Sequence, residues 1–306
     1  MPAQRPLAPA SALSDAGGDA EVRGRPQFAR STARVPAALV RQADRRSPLP
    51  GARRVDAPAD FDDLVDPSGY ASAYARIAEL GGLPAPAVEG FLVEELARGR
   101  EVTLEGYVYN GAVTVIGITD SVMYPGTNSF ERFEYPSTLT EKRRDELDDV
   151  ARSIAPALGL DAAFFNMEFV VPAEGPVTII EVNGRIASQF APLIQATHGR
   201  STYDALFALA SGRDPAWRTS EPDGVAVSYV LRVFRDAFVE SIPDPEPGIE
   251  ILVRPGVRLS EQGANDVESY RVAIVYGAGE TRAEALELCR SRARRLRFEM
   301  AHGRVA

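Results

Sequence analysis

The segment FFNMEFVVPAEGPVTIIEVNGR, residues 164–185, sets acidic and amide side chains into two apolar runs separated by the turn-forming PAEGP. Pairing Pro172 with Val177 across that turn brings Glu168 opposite Glu181 and Asn166 opposite Asn183. Side chains alternate faces along a strand. Phe165, Met167, Phe169 and Val171 therefore share one side with Thr178, Ile180 and Val182, and the four polar residues share the other. Two carboxylates directly opposite have Cβ atoms about 4.5–5.5 Å apart and repel. One remedy is a shared proton, which raises the apparent pKa of the pair. The other is a divalent cation: Mg²⁺ takes hard oxygen ligands, commonly one or two carboxylates with phosphate oxygens and water, and Asn183 offers a further amide oxygen. Arg185, two residues on and of the same parity, would meet a phosphate or a developing oxyanion with its planar guanidinium. The competing reading is a solvated sheet face on which Arg185 neutralises both carboxylates. A slip of one residue in register would dissolve the pairing.

These side chains need strands and helices to hold them. Asn110-Gly111 joins EVTLEGYVY to AVTVIGITD as a β-hairpin. TEKRRDELDDVARSIAPALGL reads as a helix with Thr140 as its cap, Leu147, Val150, Ile154 and Leu158 on its apolar face, and Gly159 as its stop. STYDALFALASGRDP is a second helix, ended by Gly212 and Pro215, and the last helix opens with Thr281 and Glu284 at capping-box spacing. Upstream, VPAALV and FLVEEL read as short strands, and DAPADFDDLV and residues 69–80 as helices. VAVSYVLRVF, IEILVRPG and YRVAIVYGAG supply late strands, while YGAGET, which lacks the second half of a dinucleotide fingerprint, reads as a turn. Residues 1–33, dominated by Ala, Pro, Arg, Gly and Ser without periodicity, read as a disordered tail. This order predicts an α+β fold of antiparallel sheets with packed helices and a β-rich carboxy-terminal extension, rather than a βαβ alternation. The divisions fall at 1–33, 34–90, 91–218 and 219–306.

Composition narrows the function. A net charge of −9 and a pI near 5.0 argue against a general binder of nucleic acid or anionic membrane, since phosphate backbones reward clustered cations. A single cysteine, Cys289, excludes an intrachain disulfide and a cysteine-based zinc site. No amino-terminal apolar stretch or long uncharged run suggests a leader or a membrane span, so the cytoplasm is the expected compartment. Lys142 is the sole lysine. His198 and His302 are the only histidines, and no Gly-x-Ser-x-Gly elbow accompanies them, which disfavours a serine hydrolase.

FNMEF followed by IIEVNGR resembles the closing metal-binding motif of the ATP-grasp superfamily, in particular its carboxylate–amine (amino-acid) ligases. The resemblance extends through GITDSVMYPGTNSFERFEYPS, ALGLDAAFFNMEF and IASQFAPLI to HGRSTYDALFALASGRDP, and covers roughly residues 35–300. It implies an ATP-grasp-like fold, with 34–90 as a partial nucleotide subdomain, 91–218 as the carboxy-terminal subdomain and 219–306 as the extension. It implies that Glu168 and Glu181 hold magnesium, with manganese as the alternative ion, that Asn183 completes the site, and that Arg185 stabilises an acyl phosphate and its tetrahedral successor. Within VEELARGRE, Glu94 and Leu96 would meet adenine and Glu101 the ribose hydroxyls of ATP. The family's Lys-Pro pair and glycine-rich phosphate loop correspond to VPAALVRQADRRSPLPGARRV, where Arg41 and Gln42 replace the pair and Gly51 alone remains of the loop glycines. Pro48 and Pro50 remove backbone N–H donors there. The family's amino-terminal domain has no counterpart in the tail.

The function these observations favour is an ATP-dependent ligase joining a small carboxylate, such as an amino acid, to an amine through an acyl phosphate. The alternative is a degenerate or split relative that binds nucleotide weakly or needs a partner chain. A third reading is a binding module without nucleotide chemistry. A homodimer, or a partner supplying the absent domain, would complete the site; nucleic acid and membrane are not expected partners.

Overall fold

The computed structural model of the protein describes residues 38–41, 53–55, 92–218, 220–262 and 269–301, the first two stretches and 92–94 through their backbone. The tail, the two helices expected between residues 56 and 80, and Gln42, Pro48, Pro50 and Gly51 lie outside these residues. Strands β1 (Ala38–Arg41), β2 (Arg53–Val55) and β3 (Leu92–Glu95) form one small antiparallel sheet, in the order β2-β1-β3. The large sheet contains β4 (Arg100–Tyr109), β5 (Ala112–Met123), β6 (Phe130–Tyr135), β7 (Ala163–Val171), β8 (Thr178–Asn183), β9 (Val225–Val233), β11 (Ile249–Ile251) and β12 (Tyr270–Gly279). Its order is β11-β12-β9-β6-β5-β4-β7-β8, with all neighbours antiparallel. β10 (Phe238–Ser241) and β13 (Glu299–Ala301) pair separately.

The β4–β5 hairpin turns where Asn110 and Gly111 take φ of 50° and 76°, the left-handed geometry that suits the right-handed twist of its strands. Helix α1 (Glu141–Ala157) buries Leu147, Ala151 and Ala155, one residue per turn, against Val102, Leu104, Phe165, Met167 and Phe169 of the sheet. Leu158 falls past the helix end and is 58% exposed, so the apolar stripe is shorter than the sequence suggests. The opposite sheet face carries Tyr107, Phe164 and Tyr135 under α2 (Ala191–His198) and α3 (Thr202–Ala210), while α4 (Arg282–Arg295) covers β9 and β12 through Ala285 and Cys289. Ser201 caps α3 and the Thr281–Glu284 capping box opens α4.

Two expectations are corrected. YGAGET is not a turn, because β12 runs on through Gly279. A Cβ at Gly277 would lie 2.6 Å from the Ala285 carbonyl oxygen and 2.8 Å from Cys289 Sγ, so the glycine lets α4 settle on the strand. The β7–β8 register follows the expected pairing from Asn166/Asn183 to Glu168/Glu181, then shifts, with Phe169 opposite Ile179 and Val170 opposite Thr178. This bulge at Ile180 sends Val177 and Ile179 to the core in place of Thr178 and Ile180.

Candidate functional site

The polar face lies on β4, β7 and β8. Glu168 pairs with Glu181 and Asn166 with Asn183, as expected. Val182 packs into the α1 side of the sheet, which leaves Glu181 and Asn183 on the other. Asn183 Nδ2 donates to Glu181 Oε1 at 2.5 Å and to Asn166 Oδ1 at 3.1 Å. Asn166, 1% exposed, donates from Nδ2 to the Arg185 carbonyl at 3.1 Å, fixing the chain as it leaves β8. Glu168, Glu181, Asn183 and Arg185 are all half-buried. The structure therefore gathers the expected metal-side residues.

One residue in this cluster is not evident from the sequence motif. Glu105 on β4 pairs with Asn166 across the sheet and is 1% exposed. Its Oε1 accepts the Ala187 N–H at 2.9 Å, while its buried Oε2 has no hydrogen-bond partner among the described residues. Burial pushes its carboxyl up to about 8, against the smaller downward pull of the Ala187 N–H and the Arg185 guanidinium. The available signal was an acidic residue amid the alternating apolar side chains of EVTLEGYVY. Beyond Ala187 the same loop is held by Gln189, whose Nε2 donates to Ser228 Oγ on β9 at 3.0 Å. His198 ends α2, where its Nε2 meets the Tyr135 hydroxyl at 2.7 Å, and burial lowers its pKa.

The expected nucleotide-side residues fall elsewhere. Arg41 ends β1 opposite Leu92, and Glu94 of β3 pairs with Leu39, so both belong to the small sheet. Leu96 is half-buried in the link from β3 to β4. Glu101, on β4 opposite Val170, is the member of this set that enters the large sheet. Backbone pairing thus places Arg41 and Glu94 on adjacent strands and Glu101 on the strand beside β7, which carries Asn166 and Glu168.

Residues 68–192 match the ATP-grasp domain family. The fold is shared with the biotin carboxylase domain of Hydrogenobacter thermophilus 2-oxoglutarate carboxylase, whose structure holds MgADP, ADP and bicarbonate. That match has a TM-score of 0.61 and 15% identity over 87% of this chain and 58% of that one. It is shared with an L-amino acid ligase from Bacillus licheniformis, at TM-score 0.61 and 17% identity over 87% and 64% of the two chains. It is shared too with phosphoribosylglycinamide synthetase from Anaerococcus prevotii, at TM-score 0.58 and 13% identity over 87% and 64%. An uncharacterized Sinorhizobium fredii protein, y4rH, is 28% identical over 185 residues, 56% of this chain and 37% of that protein. The chain thus spans less than two thirds of each of these proteins. No described helix is long and apolar enough to cross a membrane.

Proposed function

We propose that the chain is an ATP-dependent carboxylate–amine ligase that works through an acyl phosphate on an amino acid or another small carboxylate. The observation that carries this reading is the direct pairing of Glu168 with Glu181, with Asn183 hydrogen-bonded to Glu181. Among the described residues no three His, Cys, Asp or Glu side chains converge as a metal cluster. The donor set is instead two carboxylates and an amide, the hard oxygen chemistry that suits Mg²⁺ or Mn²⁺ alongside phosphate. Asn183 turns its nitrogen toward Glu181 here, so ligation there by its oxygen entails a half-turn of the amide. Glu168, Glu181 and Asn183 would hold the ion, which when bound neutralises triphosphate charge.

Arg185, held by Asn166 through its carbonyl, faces the charge that develops as the substrate carboxylate takes the terminal phosphoryl group and as an amine later displaces phosphate. Glu105 and Gln189 brace the loop that carries it. Arg41 would meet phosphate, Glu94 and Leu96 adenine, and Glu101 ribose. In this reading 34–90 is the nucleotide subdomain, 91–218 the carboxy-terminal subdomain and 219–306 the extension of a cytoplasmic enzyme, with a second copy or a partner chain completing the site. One observation favours the split or degenerate alternative: Arg41, Gln42, Pro48 and Pro50 stand where a lysine–proline pair and a glycine loop grip phosphate.

Calorimetric titration of the chain with Mg-ATP, beside Glu181→Gln, tests the proposal. Saturable, magnesium-dependent binding that the variant loses supports the ligase reading. Absence of binding by the wild-type chain removes that reading for the isolated protein.

A further inference from the structure

Strand β8 changes phase beside the carboxylate pair. Val177 and Ile179 pack on the α1 side of the sheet, and strict alternation would carry Glu181 into that apolar layer with them. The extra residue at Ile180 returns Val182 to the α1 side and leaves Glu181 opposite Glu168. A uniform register, with Phe169 opposite Ile180 and Val170 opposite Ile179, would need no bulge and would send Thr178 and Ile180 inward instead. Both forms satisfy strand alternation, so contacts outside the two strands decide between them.

Helix α1 supplies such contacts at the PAEGP turn. Arg143, whose side chain is only 18% exposed, donates from Nη1 to the Gly175 carbonyl at 3.0 Å. Its Nη2 donates to the carbonyls of Pro172 and Ala173 at 3.1 and 3.4 Å. The same guanidinium meets Glu146 Oε2 at 2.6 Å, one helical turn on. That hydrogen bond holds the Glu146 carboxyl below its ordinary value, so the pair stays ionised at neutral pH. Glu146 Oε1 in turn accepts the Val177 N–H at 3.4 Å. One guanidinium thus spans the turn, and its carboxylate partner ties the first residue beyond it to α1, on the side where Val177 packs. Holding three carbonyls and a carboxylate at once uses the several fixed donors of an arginine fork.

We propose that Arg143 and Glu146 are positioning residues for the metal site: by fixing Val177 toward α1 they hold the bulged register of β8 and so aim Glu181. Their hydrogen bonds go to the turn and to each other, rather than to Glu168 or Glu181, and they act through the bulge. Bulges beside functional sites re-aim side chains in this way. The role given to Glu181 rests on the metal reading of the site, whereas the control of register does not.

The test is Mn²⁺ binding to the full chain, read by electron paramagnetic resonance with and without ADP, beside the cross-strand NOE contacts of Phe169 and Val170. In the wild type Phe169 should contact Ile179, and Val170 should contact Thr178. Arg143→Met should move these contacts to Ile180 and Ile179 and weaken Mn²⁺ about tenfold, the scale on which supporting residues tune a metal site. Arg143→Lys should fall between the two, since an ammonium keeps a donor without the fork. Arg152→Met is the control: on the same helix, Arg152 bonds Asp148 and the Val113 carbonyl of β5, and its loss should leave both readouts unchanged. Should Arg143→Met fail to fold, Glu146→Leu, which frees the Val177 N–H, takes its place with the same expected outcome. Unchanged NOE contacts, unchanged Mn²⁺ affinity, or equal weakening by Arg152→Met overturns the proposal. Mn²⁺ that the wild type does not bind, or that Glu181→Gln binds equally well, overturns the metal reading, and the NOE contacts then decide the control of register alone.

Discussion

Glu105→Gln separates the charge of a buried carboxyl from its shape. The amide retains an oxygen for the Ala187 N–H, now accepted at 2.9 Å, and nearly the same volume. In the folded protein the carboxyl titrates at about 8 against an ordinary value of 4.5, because burial penalises its charged form. A folded value raised in this way means that the folded state holds the proton after the unfolded chain has released it. The associated stability is fully present below pH 4.5 and is lost as pH rises through about 8. The interval of about 3.5 pH units, at about 1.36 kcal/mol each, sets an upper bound of about 5 kcal/mol. Some 2.5 of those units lie above pH 5.5, so at most about 3 kcal/mol falls between pH 5.5 and 8. Urea unfolding of both proteins at pH 5.5, 7 and 8.5 reads the difference directly, since titrations common to the two cancel. Wild type should lose ground to the variant steadily up to pH 8 and no further above it. Parallel pH profiles for the two proteins would refute the reasoning.

Leu147→Ala, at a fully buried position under the sheet, should cost about 2–5 kcal/mol, whereas Leu158→Ala, beyond the helix end and largely exposed, should change stability by less than about 0.5 kcal/mol. Denaturant midpoints of the pair check how far the apolar stripe of α1 extends. Thr281→Ala removes one half of the α4 capping box and should cost about 1 kcal/mol, seen as a lower melting temperature with the same cooperativity.

Legibility in the sequence followed the range of the forces involved. The Asn110-Gly111 hairpin and the Thr281 box are set by residues within a few positions of each other, and both form as read. The Glu168–Glu181 pairing was readable because one turn fixes its register and the alternation of Phe165, Met167 and Phe169 fixes the face. The bulge at Ile180 was not, since Thr178 and Ile180 satisfy strand alternation as well as Val177 and Ile179 do, and packing against α1 decides between them. Helix α2 is only eight residues, with Pro192 in its first turn, too short for its periodicity to stand out. Glu105 escaped for a different reason. Its role depends on the Ala187 N–H, supplied 82 positions later in the chain.

The pairing of β6 with β9 has a consequence for how the chain can be cut. Arg132, Phe133, Glu134 and Tyr135 find their second set of ladder partners in Tyr229, Ser228, Val227 and Ala226. Arg282 at the start of α4 clamps the same margin, meeting Glu134 at 2.9 Å and the Pro136 carbonyl at 2.6 Å. A fragment ending before β9 would keep the whole carboxylate face yet bare a row of N–H and C=O groups along β6, a template for sheet-to-sheet association between copies. During synthesis β6 emerges well before its cover, so its β9-facing edge must remain unpaired, or be shielded by another surface, until β9 has been made. The carboxy-terminal segment therefore acts as the seam that closes the sheet, and aggregation is the penalty for opening it.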